Sequence, residues 1–453
     1  MNFNDFGKFS QQFNQFSPEM KEQMMKMAKD RVKEKLKHWF SLPILTVVAL
    51  ALGAIVGALT ACFGDILLKA TALRSEYPLY FIPLLAVAGL GIVFAYKKWG
   101  KGSDRGIGLV FAVGQGKEDH IPLRLIPMVA VTTWATHLFG GSAGREGVAV
   151  QIGATLGHNI SKRIPAENAS HILLVAGMAA GFAGLFQTPM AATAFALEVL
   201  IVGHLELSAL IPTIVAAFTA CKVSSMLGLE KFAVDLDALT GGTANLFANG
   251  SSFDANFVLK LALLGVIFGF IGGGFAKILS LSKKYFANKI SNPLKRVAIM
   301  GIALSAIFLL FWQGRYSGLG TNLIDFCFAG TGFADGAASP QAVYAFDWIL
   351  KFALTILTLS AGFQGGEVTP LFAIGATAGT AFASMLGLPL PLAAALGYAS
   401  VFGSASNTLW APILIGVEVF GFGSLPAFFI VCGIAYVCNF GQSIYSQRKL
   451  RLK

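Results

Sequence analysis

The chain has 453 residues, of which 55% are hydrophobic and only 13% charged, about half the charge density of a soluble domain. That balance excludes an ordinary soluble enzyme. The net charge of +11 does not point to nucleic acid, because the Lys and Arg lie beside the apolar runs rather than in a stripe of their own.

Residues 1–40 form an extension rich in Phe, Gln, Asn and Met, then in Lys and Glu. Ser17-Pro18-Glu19 reads as a helix start, and a helix is expected over Glu19–Trp39 in the cytoplasm or on the membrane surface. Long apolar runs follow: Leu42–Leu68, Phe81–Ala95, Phe257–Ile278 and Ala298–Trp312. Each approaches or exceeds the ~20 residues that a helix needs to span a bilayer. None alternates in the ~10-residue segments of a membrane barrel. The expected class is therefore an all-α polytopic membrane protein. Basic residues flank the spans at Lys29–Lys37, Lys97-Lys98, Lys101, Arg105, Lys283-Lys284 and Arg448–Lys453. By the positive-inside rule both termini and the Lys97–Arg105 loop face the cytoplasm. The first apolar run begins too late, and runs too long, for a cleavable signal peptide. Cys62, Cys221, Cys327, Cys432 and Cys438 lie in or near apolar segments without metal-ligand spacing, so they read as small core side chains.

A polar interval, Gly228–Asp254, carries Gly241-Gly242-Thr243 and Gly250-Ser251-Ser252 and splits the apolar chain into near-equal halves. The expected organisation is an N-terminal extension (1–40), a first transmembrane repeat (41–228), a linker (229–253), a second repeat (254–447) and a short basic tail (448–453). The halves match each other in order. Gly177-Met178-Ala179, Thr188 and Leu197-Glu198-Val199 recur as Gly397-Tyr398-Ala399, Thr408 and Val417-Glu418-Val419 at an offset of 220 residues. Ile152–Gly157 matches Ile374–Gly379, and Gly106-Ile107-Gly108 matches Gly318-Leu319-Gly320. Internal repeats of this kind belong to transporters, with ion sites at the repeat interface near the midplane.

The 51 glycines permit close helix packing and helices broken part-way through the membrane. A broken helix presents unpaired N–H groups and a positive dipole end, which binds anions without a full charge. The expected breaks are Gly106–Leu109, Gly144–Val148, Gly318–Thr321 and Gly365–Thr369. Two of them carry carboxylates, Glu146 and Glu367. An acidic group in a span is costly and marks an ion or proton pathway.

Gly144-Arg145-Glu146-Gly147 followed by Val150-Gln151-Ile152-Gly153, then Gly365–Pro370, then Ser443-Ile444-Tyr445-Ser446, resemble the signatures of CLC-type anion channels and anion/proton exchangers over residues ~42–447. The resemblance implies two inverted repeats of tilted and broken helices, assembled as a homodimer with one pore per subunit. The departures narrow it. The family's usual serine in its first anion-binding motif is replaced by Ile107, and its proline after the Glu-Gly pair by Val148. Glu367 and Thr369 stand in the second signature, and Val199 falls where the family's inner proton glutamate would be. Together these resemble the fluoride-transporting branch, which exports fluoride against protons moving inward.

On that basis Glu146 and Glu367 are the expected gate and proton-coupling residues. Gly106, Ile107, Gly108, Gly147, Val148, Val368, Thr369 and Tyr445 are the expected anion-binding positions. Ionised, Glu146 occupies the place an anion would take; protonated, it makes way. Its plainer reading is a helix cap paired with Arg145. A protonated Glu367 and the Thr369 hydroxyl would offer donors strong enough to replace water around fluoride, and Glu367 would carry the proton that Val199 cannot; the plainer reading is again a cap. Tyr445 would donate from the cytoplasmic side, or serve as an interfacial anchor. Glu198 and Glu418 read as packing residues at equivalent repeat positions. Some of the 39 Phe can turn positive ring edges to an anion, but the sequence does not single them out.

A competing class is an intramembrane serine hydrolase, from Gly140-Gly141-Ser142-Ala143-Gly144 with His137 nearby. Within transport, chloride/proton exchange and passive chloride conduction compete. The expected partners are fluoride and protons, with chloride as a further candidate anion, the lipid of the inner (plasma) membrane, and a second copy of the chain. No catalytic residue, cofactor, metal or nucleic acid is expected.

Overall fold

A computed structural model of the protein describes residues 17–241, 254–329 and 342–449. Gly242-Thr243, Gly250-Ser251-Ser252, the first sixteen residues and the last four lie outside them. The described residues are mostly helical, with only two short strands among them. In order they are α1 (Pro18–Glu76), α2 (Pro78–Phe81), α3 (Leu85–Ala95), α4 (Ile107–Gly114), α5 (Leu125–Leu138), α6 (Glu146–Ser161), α7 (Ala169–Phe186), α8 (Pro189–Glu198), α9 (Leu210–Met226) and α10 (Leu236–Thr240). After the undescribed stretch come α11 (Ala255–Lys289), α12 (Pro293–Leu310), α13 (Thr321–Phe328), α14 (Asp347–Ala361), α15 (Val368–Leu386), α16 (Leu390–Ser406), α17 (Trp410–Phe420) and α18 (Leu425–Val437). Seven helices are long and apolar enough to cross a membrane, and four shorter ones are strongly apolar. The chain is a multi-pass membrane protein.

The N-terminal boundary differs from expectation. Extension and first span form one helix of 59 residues that runs through Pro43. Ser17 caps it by accepting the Met20 N–H (3.3 Å), and Pro18 suits the first helical position, where its missing N–H costs nothing. A proline inside a helix removes one bond but need not end it when packing holds the rest.

The first series, α1 to α9, is echoed by α11 to α18 in element order. At the centre of each lies a tight pair, α6 on α7 and α15 on α16. The reason is legible in the glycines. A Cβ at Gly153 would overlap the Gly177 carbonyl and one at Gly177 the Gly153 carbonyl; Gly375 and Gly397 stand in the same relation. The backbones touch where no side chain intervenes. These are the positions that match between the halves.

The two series also meet through α8 and α17, which run antiparallel. Glu198, at the end of α8, accepts the N–H groups of Leu409, Trp410 and Ala411 at the start of α17. Glu418, near the end of α17, accepts those of Met190 and Ala191 at the start of α8. Each carboxylate satisfies orphan donors of the other helix and sits at its positive end. The expected packing role is thus a reciprocal cap. The only strands among the described residues, β1 (Ile201–Val202) and β2 (Arg448–Lys449), pair in parallel and stitch the C-terminal segment beside α8. All five cysteines are free thiols.

Candidate functional site

Four helices begin at the four glycine breaks: α4 at Ile107, α6 at Glu146, α13 at Thr321 and α15 at Val368. The loops before α6 and α15 are joined. Gly144 N–H donates to the Gly366 carbonyl (2.5 Å) and Gly366 N–H to the Gly144 carbonyl (2.7 Å). Gly365 has φ +154, and a Cβ there would press on Ala143 Cβ at 2.5 Å, so a larger residue would part the loops. The bridge sets the N-termini of α6 and α15 against each other, two positive dipole ends at one point.

Glu146 occupies that point. It is 1% exposed. Its Oε2 accepts the N–H of Arg145 (3.2 Å), the N–H of Thr369 (3.2 Å) and the Thr369 hydroxyl (2.5 Å). Arg145 Nε lies 3.7 Å from Oε1. The carboxylate is held as a free anion would be, by backbone donors, a hydroxyl and a cation. Val148 sits one turn in; its N–H goes to the Arg145 carbonyl (3.1 Å) and its side chain is fully buried, as is that of Val368.

Two cavities adjoin this region. The larger, about 220 Å³, is lined by Gly106, Ile107, Gly147, Gln151, Glu367 and Tyr445, with Asp104, Arg105 and Lys283 at its charged wall. The smaller, about 80 Å³, is lined by Arg145, Glu146, Phe186, Thr321, Thr369 and Tyr398, with Glu230 and Asp325 also on its wall. Thr369 and Glu367, expected to act together, turn to different partners. Thr369 holds Glu146, whereas Glu367, 9% exposed, faces the larger cavity with Lys283 Nζ 3.5 Å from its Oε1. Ile107 opens the first turn of α4 on that cavity, between Gly106 and Gly108. Gly106 has φ +50, and a side chain there would meet Gln151 Oε1 at 3.2 Å.

Tyr445 is buried and stacked on Phe111 (ring centroids 5.1 Å apart), with the edge of Phe195 at 5.8 Å. From it a continuous run of rings leads past Phe195 to Phe402 (6.1 Å), Phe372 (5.3 Å) and Tyr398 (4.2 Å). Tyr445 lines the larger cavity and Tyr398 the smaller. These are rings that sequence alone left unselected, because their proximity arises only when α8, α15 and α16 pack. Val199 is fully buried among apolar side chains.

Other polar groups behind the site were also invisible in the sequence. Lys351, fully buried, donates to Ser142 Oγ (2.9 Å) and to the carbonyls of Tyr316 (3.1 Å) and Gly318 (2.8 Å). All three ammonium donors are used, and they tie the loop before α6 to the loop before α13. Asp347 takes a bidentate contact from Arg315 (2.6 and 3.3 Å) and the Tyr316 hydroxyl (2.6 Å). The hydrolase geometry does not form. Ser142 Oγ contacts Lys351 and Thr355 (2.9 Å), while both His137 ring nitrogens face the carbonyls of Thr133 (2.8 Å) and Ala143 (2.9 Å).

The chain resembles known proteins along most of its length. A crystal structure of a CLC-type fluoride/proton antiporter superposes with a TM-score of 0.84 at 48% identity, covering 91% of this chain and 99% of that one. A slow cyanobacterial Cl⁻/H⁺ antiporter shares the fold at 18% identity, with a TM-score of 0.70 over 88% of this chain and 95% of that one. A chloride/fluoride channel protein of Pseudomonas syringae pv. tomato is 33% identical over 87% of this chain and 84% of its own. The H(+)/Cl(-) exchange transporter ClcA of Salmonella paratyphi B is 27% identical over 78% of this chain and 75% of its own. The voltage gated chloride channel model matches residues 88–439, and with the antiporter likeness this establishes that the chain belongs to the CLC family.

Proposed function

We propose that the chain exports fluoride in exchange for protons. The observation that carries the reading is the buried Glu146 carboxylate, seated on the N-termini of α6 and α15, with one cavity lined by Glu146 itself and a second by its neighbour Gly147. An ionised side chain there excludes a second anion. Protonation removes its claim on the Thr369 and Arg145 N–H groups and frees them for a halide. One site thus links proton and anion occupancy, which is the requirement for exchange. Fluoride is favoured over chloride by Ile107 in place of the family's serine, by Glu367 and Thr369 in the second signature, and by the likeness to a fluoride/proton antiporter. In this reading the larger cavity opens to the cytoplasm, since the basic residues Arg105 and Lys283 stand on its wall. Glu367 receives the proton there, in the role Val199 cannot fill. Gly106, Gly108, Gly147, Val368, Thr369 and Tyr445 line the anion's route, with the Tyr445–Tyr398 ring series beside it.

The same reading takes the two helix series as inverted repeats joined by the interval around 229–253, both termini as cytoplasmic, and the bilayer as the inner membrane. It takes the assembly as a homodimer. An open groove of about 500 Å³, lined almost wholly by apolar groups including Leu197, Leu207, Ile214, Phe218, Trp410 and Leu414, supports that reading as a surface a second copy would cover. No cofactor or metal enters the scheme.

The test is purified protein in liposomes, with fluoride, chloride and proton fluxes followed together. Fluoride efflux is expected to exceed chloride efflux by at least about tenfold, the effect of 1.4 kcal/mol in selectivity, and to drive proton uptake. Glu146→Ala should abolish the proton movement. Equal chloride and fluoride fluxes with proton coupling would instead favour a chloride/proton exchanger, and fluxes without protons a channel.

A further inference from the structure

We propose that Lys283 is the anion-capture residue of the cytoplasmic cavity: it draws fluoride in by exchanging its partner, Glu367, for the entering ion. This rests on the transport reading given above and adds a residue to it.

Lys283 stands near the C-terminal end of α11, and its neighbour Lys284 does not line the cavity. Its side chain is 47% exposed, while that of Glu367 is 12% exposed, and the two meet at 3.5 Å. A pair with one half-exposed partner at that distance contributes little to folding. It does fix where a positive charge sits, in the same cavity as Glu367, Ile107 and Tyr445. Two of the other donors there are engaged elsewhere: Arg105 is 2.8 Å from Glu118, and Gln151 Nε2 gives its hydrogen to the Gly147 carbonyl (3.1 Å). Gln151 Oε1, a buried acceptor without a protein partner, offers an anion no donor. Lys283 is the cation of this cavity whose partner is the Glu367 carboxylate, so it can exchange that carboxylate for another anion.

Fluoride and the Glu367 carboxylate thus compete for one ammonium.

The experiment uses the full chain in liposomes. Initial fluoride efflux is measured against internal fluoride concentration for the wild type, Lys283→Met and Lys283→Arg, and half-saturating fluoride by titration calorimetry on purified protein for the Glu367→Gln pair with and without Lys283→Met. Size-exclusion profiles establish that each variant is folded. Lys283→Met is expected to raise half-saturating fluoride about five- to tenfold, the effect of losing one partly screened charge contact, with the maximal rate within about twofold. Lys283→Arg should restore the wild-type value. The increase should persist in the Glu367→Gln background, because capture acts on the ion and not through the carboxylate. An unchanged half-saturation, failure of arginine to restore it, or loss of the effect in Glu367→Gln would each overturn the proposal. The wild-type arm separates this from the parent reading: if it carries chloride but not fluoride, the same comparison run with chloride tests Lys283 alone.

Discussion

Thr369 shows how one side chain sets the state of the site. Its hydroxyl and its N–H both engage Glu146 Oε2, so it contributes two donors to whichever negative group is present. A hydrogen bond to a charged group is worth about 1.5–3 kcal/mol. Thr369→Val keeps the shape and removes one donor. It is expected to weaken fluoride binding about tenfold or more by titration calorimetry, while Thr369→Ser keeps most of the affinity. At this scale the sequence was legible where chemistry and chain neighbours coincide: Glu146 and Thr369 stand in short glycine-flanked motifs. It was not legible where the partner comes from far along the chain. Lys283 lies 84 residues from Glu367, on a helix whose last turns carry several other lysines, and nothing local separates it from them. Glu367 and Thr369, two residues apart at the start of α15, line different cavities.

Among the elements, the helix pairs α6/α7 and α15/α16 rest on glycines that recur between the halves, since only glycine lets two backbones touch. Gly177→Val would drive two methyl groups into the Gly153 carbonyl. Overpacking of this kind typically costs about 1–3 kcal/mol and more against backbone, so the variant should elute as aggregate from size-exclusion chromatography in detergent. A valine at Gly274, where a Cβ meets nothing within 4 Å, should elute as the wild type. Helix ends were less legible. The extension and the first span, expected as separate segments, form one helix that passes through Pro43. The caps of α8 and α17 come from glutamates over two hundred residues away, which no local pattern announces, although the matched positions of Glu198 and Glu418 showed that they would play the same part.

For the whole molecule, the apolar groove along α8, α9 and α17 offers a surface that lipid or a second copy can cover. A paired Ile214→Arg and Leu414→Arg variant is expected to run as a monomer in detergent by light scattering, given the cost of burying two unpaired charges in the contact. Fluoride efflux per chain should fall by less than about twofold if each subunit holds its own pathway. The all-helical class and the transport role were readable from composition and motifs. The ring series between the cavities was not, because 39 Phe carry no address until the helices cross.

The mutual backbone bonds of Gly144 and Gly366 bear on how such a machine can turn over. Two strips of main chain from the two halves of the sequence are laced together beside Glu146. Neither can slide without unlacing the other. The working stroke must then be carried by swinging side chains on a stationary frame, and a crosslink introduced across that lacing should leave turnover intact where a rocking mechanism would stall.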